Sequence, residues 1–150
     1  MKWISHQIVT GAVIYLSTDS LLLTACGMVG AVLPDRLEGD PRRAGDYWLW
    51  RRLHRGLSHW PGLYLFAIAL VLSLRPVGAI APGDGTALFI AVMAGALLHI
   101  AEDALCGEVP LIFPGEKIGL KLFKVGSFTE YFVAAGIVLF AYGLRLVSGR

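Results

Sequence analysis

Thiols, charge and imidazole are all scarce in this chain. Its 150 residues include two cysteines, Cys26 and Cys106, both in or beside apolar stretches. They form no CxxC pair, so a disulfide framework and a cysteine-type zinc or redox motif are excluded, and both read as small buried hydrophobes. Charged residues make up only 16%, against about a quarter in soluble domains. A net charge of +2 is too small to indicate a nucleic-acid partner. The remainder is apolar: 56% of residues are hydrophobic and the mean hydropathy is +0.66. This composition describes a single integral membrane domain. The opening Met1-Lys2-Trp3-Ile4-Ser5-His6 has one basic residue, Gln7 and Thr10 interrupt the apolar stretch behind it, and Asp19 precedes any small-residue cleavage site. The segment is therefore expected to be retained, not removed as a signal peptide.

Apolar segments run over 7–17, 20–33, 60–74, 86–105 and 129–147. A single helix over 7–33 would be about 40 Å long, more than the roughly 30 Å of a bilayer core. Thr18-Asp19-Ser20 instead predicts two short antiparallel helices with Asp19 at the turn, and Thr18 or Asp19 suits a cap for the second. Gly39-Asp40-Pro41 marks a turn in the polar stretch 34–59, where Tyr47, Trp48, Trp50, Arg51 and Arg52 suit an interfacial anchor. Arg75-Pro76 ends the helix over 60–74, and 76–85 reads as a Gly/Pro loop. The expected architecture is all-α, a membrane bundle of four to five helices. The loops 34–59 and 107–128 carry six and three basic residues, and the turn at 18–20 and the loop 76–85 carry none. The positive-inside rule places the two basic loops in the cytoplasm.

All four histidines, His6, His54, His59 and His99, stand near other metal-ligand-type residues. Imidazoles and carboxylates are costly in apolar segments unless they serve a site. With this topology His6, Asp35, His54, His59, His99, Asp103 and Glu130 all fall at one membrane face. His99 and Asp103, spaced i, i+4, share a helix face. Glu102 is an alternative acid one position off that face. His54 and His59, spaced i, i+5, would diverge by about 140° on a regular helix, but Gly56 permits a turn that brings both inward. His6, Asp35, His54, His59, His99 and Asp103 are the candidate metal ligands. Imidazole with carboxylate suits zinc, with manganese or iron also fitting. About six ligands leave room for more than one ion, an arrangement used to cleave phosphoesters. Arg55 suits a substrate phosphate, or an ion pair with Asp35 or a lipid. Glu130 is a ligand or general base, or an acid placed to suit a helix dipole. Ser58 has no base better placed than a metal would be, so it is not assigned as a nucleophile. Asp19 is a turn residue at the opposite face.

Several of these features together resemble the YdjM-type family of bacterial inner-membrane proteins. They are Ser5-His6, Leu33-Pro34-Asp35, the run His54-Arg55-Gly56-Leu57-Ser58-His59, Gly95-Ala96-Leu97-Leu98-His99 with Asp103, and Gly126-Ser127 before Glu130. The His-Arg-Gly-x-Ser/Thr-His run is the most specific of them. Members are described, by label only, as LexA-regulated metal-dependent hydrolases. The family often has a second acid soon after Pro-Asp; here Glu38 is its substitute, or that ligand is missing. The ligand set is also similar in composition to that of zinc-dependent phospholipase C, without implying a shared fold.

The resulting expectation is a bacterial inner-membrane, multi-pass, metal-dependent hydrolase. It would cleave a phosphoester such as a lipid headgroup at the cytoplasmic interface, with membrane lipids as its partners. The alternatives are a non-catalytic, metal-stabilised module that recruits a partner, and a metal transporter or sensor. A transporter needs a path across the bilayer, and the far face offers only Asp19 and Asp84.

Overall fold

The computed structural model describes residues 1–39, 45, 48, 54–74 and 83–149. The proposed anchor at Tyr47, Trp50, Arg51 and Arg52, the turn at Asp40-Pro41 and the loop over 76–82 lie outside them. Trp48 is exposed.

The all-α expectation holds for the described residues. Helix α1 spans Trp3–Thr18 and α2 spans Leu21–Gly30. Asp19 between them is left-handed (φ 53°) and its N–H closes on Tyr15 O at 2.9 Å. The cap of α2 is Ser20, whose Oγ accepts from Leu23 N at 3.3 Å. Neither Thr18 nor Asp19 does this: the Thr18 hydroxyl turns back to Ile14 O at 2.8 Å, and Asp19 pairs with Arg145.

Helix α3, Leu33–Glu38, begins with Pro34 in its first turn, where a missing N–H costs nothing. A 3-10 turn, Leu57–His59, leads into α4, Pro61–Ser73. Helix α5 spans Gly85–Cys106, and Asp84 caps it through Thr86 N at 2.8 Å. Helix α6 spans Phe128–Val147. The stretch 107–128, read from sequence as a plain polar loop, contains an antiparallel ladder: β1, Val109–Pro110, pairs with β2, Lys117–Ile118. Two-residue strands are too short to leave a periodic trace.

By length and composition, α5 and α6 are the two described helices able to cross a membrane. At 16, 10 and 13 residues, α1, α2 and α4 reach about 24, 15 and 20 Å, short of a 30 Å core. Against the expected four or five membrane helices, the described residues give two of spanning length and a shorter apolar one, α4.

Packing rests on glycine where backbones nearly touch. A Cβ at Gly95 in α5 would fall 2.0 Å from Gly27 O in α2, and one at Gly30 would fall 1.9 Å from Val92 O. Small residues at such crossings are the usual basis of helix association in lipid. Helix α4 and β1 pack on the other side of α5 through Tyr64, Met93, Ala96, Ile100 and Val109. The buried polar residues Ser5, His6, Thr10, His59, His99, Glu102, Asp103 and Glu130 come from α1, the 3-10 turn and the facing ends of α5 and α6. Buried polar groups of this kind need partners, and those partners define the site.

Candidate metal centre

Helix α1 contributes His6, α3 Asp35, the 3-10 turn His59, and the last turns of α5 His99 and Asp103. The three imidazoles are fully buried. Each has its Nδ1 tied to an acceptor. His6 Nδ1 donates to Glu102 Oε2 at 2.8 Å and His99 Nδ1 to the Ala31 carbonyl at 2.6 Å, while His59 Nδ1 is hydrogen-bonded with Ser58 Oγ at 3.0 Å and lies 2.8 Å from Glu38 Oε1 as an ion-pair contact. A carbonyl can only accept, so the proton of His99 sits on Nδ1 and its Nε2 is left with a lone pair. Holding the outer nitrogen this way fixes the tautomer of a metal-ligating histidine and aims the inner one.

The inner nitrogens face two carboxylates. His59 Nε2 lies 3.3 Å from His99 Nε2, too close for two protonated nitrogens to be comfortable. Asp35 Oδ1 is 3.4 Å from His59 Nε2 and 3.6 Å from His99 Nε2. Asp103 Oδ2 is 3.7 Å from each. Ligand atoms about 2.1 Å from a tetrahedral zinc lie roughly 3.4 Å apart, so these five separations fit donors around one ion. His6 stacks on His99 with centroids 3.9 Å apart. Its Nε2 is 3.3 Å from Asp103 Oδ1, in a contact without hydrogen-bond direction, and is otherwise a buried nitrogen without a partner. Two triads, His6–His99–Asp103 and Asp35–His59–His99, each gather their donor atoms within 4.8 Å of one another.

The surrounding contacts hold these donors in place. Trp3 Nε1 donates to Asp35 Oδ2 at 2.6 Å, leaving Oδ1 turned to the histidines. Burial alone would raise the pKa of Asp35, but the neighbouring imidazoles of His59 and His99 and the hydrogen bond from Trp3 outweigh it and hold the carboxyl well below the usual range. Glu38 follows the same balance, with the imidazoles of His54 and His59 beside it. For His59, burial opposes the charged form, yet Asp35 and Glu38 push its pKa above that of a free imidazole. Asp103 also receives the Met1 amine at 2.5 Å on Oδ1. Arg55 Nε lies 2.8 Å from Asp103 Oδ2, a charge contact in which the N–H is poorly aimed. Arg55 itself is left-handed (φ 57°), an unusual conformation for a long side chain that keeps its guanidinium over α5.

Two residues expected in the site stand apart from the five. His54 is part-buried, with Nδ1 2.5 Å from Glu38 Oε2 and its ring 5.8 Å from that of His59. Glu130 accepts from Ser5 Oγ at 2.6 Å, Gly126 N at 2.6 Å and Lys2 N at 2.9 Å. Those contacts fix the start of α1 against α6, and among the described residues no ion pair joins Glu130 to the cluster. Two acids have larger parts than their sequence positions suggested: Glu102 backs His6, and Glu38 backs both His54 and His59. The adjacency of Glu102 to Asp103 and the short spacing of Glu38 from Asp35 were the available signals. Nothing in the sequence marks the Ala31 carbonyl.

Glu38 also accepts from Ser58 Oγ at 2.9 Å and Gly56 N at 3.2 Å. Glu38→Ala would therefore strand three hydrogen-bonded partners and remove the ion-pair contact with His59. Loss of an acceptor behind a ligand weakens metal affinity by about 10–100-fold. Competition against a chromophoric chelator should show that loss, with a smaller one for Glu38→Gln. Unchanged affinity in both would mean that His59 does not bind the ion.

Residues 1–148 match the family described as "YdjM inner membrane protein". A Bacillus subtilis (strain 168) protein described as "Uncharacterized protein YvsG" is 28% identical over 152 residues, covering 94% of this chain and 90% of its own length. No solved structure matches the chain.

Proposed function

The chain belongs to the YdjM inner membrane protein family, and from that premise we propose that it is a membrane-bound, metal-dependent hydrolase of a phosphoester, with a lipid headgroup as the substrate class. One observation carries the reading. Three buried imidazoles have their outer nitrogens occupied, and their inner nitrogens meet Asp35 and Asp103 at ligand spacing.

Asp35, His59, His99 and Asp103 would hold the ion, with His6 beside them. Both triads draw on His99, whose Nδ1 is committed to Ala31 O. A single free nitrogen serves one ion, so the site is read as mononuclear. Zinc suits the donors best, and manganese or iron also fit. Bound there, such an ion supplies a Lewis acid and brings the pKa of a bound water towards neutrality. Arg55 keeps guanidinium N–H groups beyond its contact with Asp103, and these suit the oxygens of a phosphate. Glu130, with three donors already on its carboxylate, acts as a brace for α1 in this reading. The basic loops put the site on the cytoplasmic side.

Purified protein should carry about one zinc or manganese per chain and hydrolyse a phosphoester such as phosphatidic acid. Arg55→Gln should keep the metal and lose roughly 100-fold or more in turnover, as when one transition-state donor is removed. Stoichiometric metal with no turnover on any phosphoester would sink the enzyme reading. A second reading would then stand, a metal-stabilised module without chemistry. It is favoured by the full burial of the three imidazoles and by the cover that Arg55 and the Met1 amine give Asp103.

A further inference from the structure

A cleft of about 590 Å³ opens between α1 and α5, lined almost wholly by apolar atoms. On α5 it follows one helical stripe, through Ala87, Ala91, Ala94 and Leu98, and on α1 it follows Ile14 and Thr18. Eleven residue steps from Ala87 to Leu98 give it a length of about 16 Å, a slot that an extended hydrocarbon fits.

Both walls run towards the metal centre. Four residues beyond Leu98 on the α5 stripe is Glu102. Two such steps back from Ile14 on α1, past Thr10, is His6. Glu102 and His6 are the pair hydrogen-bonded at 2.8 Å. The lining of the slot thus ends, at Ile14 and Leu98, one helical turn short of Thr10 and Glu102. Two polar atoms at this junction are buried without partners, Thr10 Oγ1 and Glu102 Oε1. Buried polar atoms are rarely left that way, and the Thr10 hydroxyl can donate to the ester carbonyl of a ligand. The sequence of environments is thus apolar slot, polar junction, then cation site with Arg55.

We propose that this slot holds one acyl chain of a membrane phospholipid, with the chain's ester linkage at Thr10 and its phosphate at the metal centre. The proposal rests on the hydrolase reading for the identity of the headgroup site. It adds the chain-binding residues, and it makes a diacyl or monoacyl phospholipid the substrate class, as opposed to a soluble phosphoester.

The test uses the full chain in phosphatidylcholine vesicles containing phosphatidic acid with a diazirine at mid-chain, the labelled residues being mapped by mass spectrometry. Labels should concentrate on Val13, Ile90, Ala94 and Leu97, in the slot. They should be sparse on Phe132 and Phe140, which are 76% and 68% exposed on α6. Ala94→Trp should abolish slot labelling and leave metal content unchanged. Ile90→Trp is the second filler if that variant does not fold. Diacylglycerol with the same diazirine chain should label the slot more weakly, since it lacks the phosphate. Equal labelling of slot and α6, slot labelling that survives both fillers, or equal labelling by the two lipids would each overturn the proposal. Metal content measured on the same wild-type sample separates the two ideas. Slot labelling without metal would remove the hydrolase reading and the headgroup assignment with it, whereas metal without slot labelling would remove only the chain site.

Discussion

His99→Ala is expected to remove the metal and to destabilise the fold together. His99 is the one residue common to both triads. It is fully buried, stacked on His6 at 3.9 Å and bonded to Ala31 O at 2.6 Å. Alanine would leave that carbonyl without its partner, open a cavity beside His6 and remove a ligand with no neighbour able to substitute. Bound metal, measured by elemental analysis, should fall from about one ion per chain to a small fraction of that. The apo-protein should also melt lower, because a truncated buried side chain costs about 2–5 kcal/mol. The two readouts can be separated. If the variant melts lower and still binds one ion, His99 is a packing residue and the centre lies elsewhere. If wild type holds no ion after reloading with zinc and manganese, the five residues form a hydrogen-bonded polar cluster.

The second large effect is expected at a residue that is not itself a ligand. Gly95→Ala places a methyl group 2.0 Å from the Gly27 carbonyl oxygen. A backbone atom in a packed helix cannot swing aside, so α2 and α5 must separate. Overpacking of this kind costs about 1–3 kcal/mol or more, seen as a lower melting temperature in detergent. Gly95 lies one helical turn before His99, and Gly27 one turn before Ala31. The same displacement therefore pulls the Ala31 carbonyl from His99 Nδ1, and metal affinity should fall with stability. Gly136→Ala is the control, since a Cβ there meets nothing within 4 Å. Equal behaviour of the two variants would mean that the α2–α5 crossing does not set the site.

Much of this arrangement was legible in the sequence because its signals are local. Thr18-Asp19-Ser20 interrupts an apolar run that is too long for one helix, and the chain turns there. Pro34-Asp35 reads in the sequence as the place where a helix stops, and it instead opens α3 just after α2 ends, whereas the His99/Asp103 spacing does fix a common face. The turn after α1 and that shared face bring His6, Asp35, His99 and Asp103 to one end of the bundle. Other features are set by contacts that spacing does not encode. His54 and His59 flank the same turn with similar surroundings, and only the backbone at Arg55 and Gly56 decides that His59 turns inward while His54 meets Glu38. Glu102 and Asp103 are neighbours about 100° apart on a helix, and which one backs a histidine depends on where α1 lies. The acceptor for His99 is a main-chain carbonyl, which any residue at position 31 would supply.

Helices α1 and α6 run parallel, with polar contacts at both ends. Glu130 holds Ser5 and Lys2 N at one end. At the other, Arg145 pairs with Asp19 and donates to Leu16 O at 3.2 Å. Most of α6 faces outward, with Phe132, Leu139 and Phe140 exposed. A helix surrounded mainly by aliphatic tails has little reason to prefer one azimuth over another, since lipid and protein are equally greasy neighbours. Two pins placed about 22 Å apart along its axis, from Glu130 to Arg145, remove that freedom. Helix α6 is then a fixed spar, unable to roll about its long axis, and its outward aromatics keep a constant heading in the bilayer.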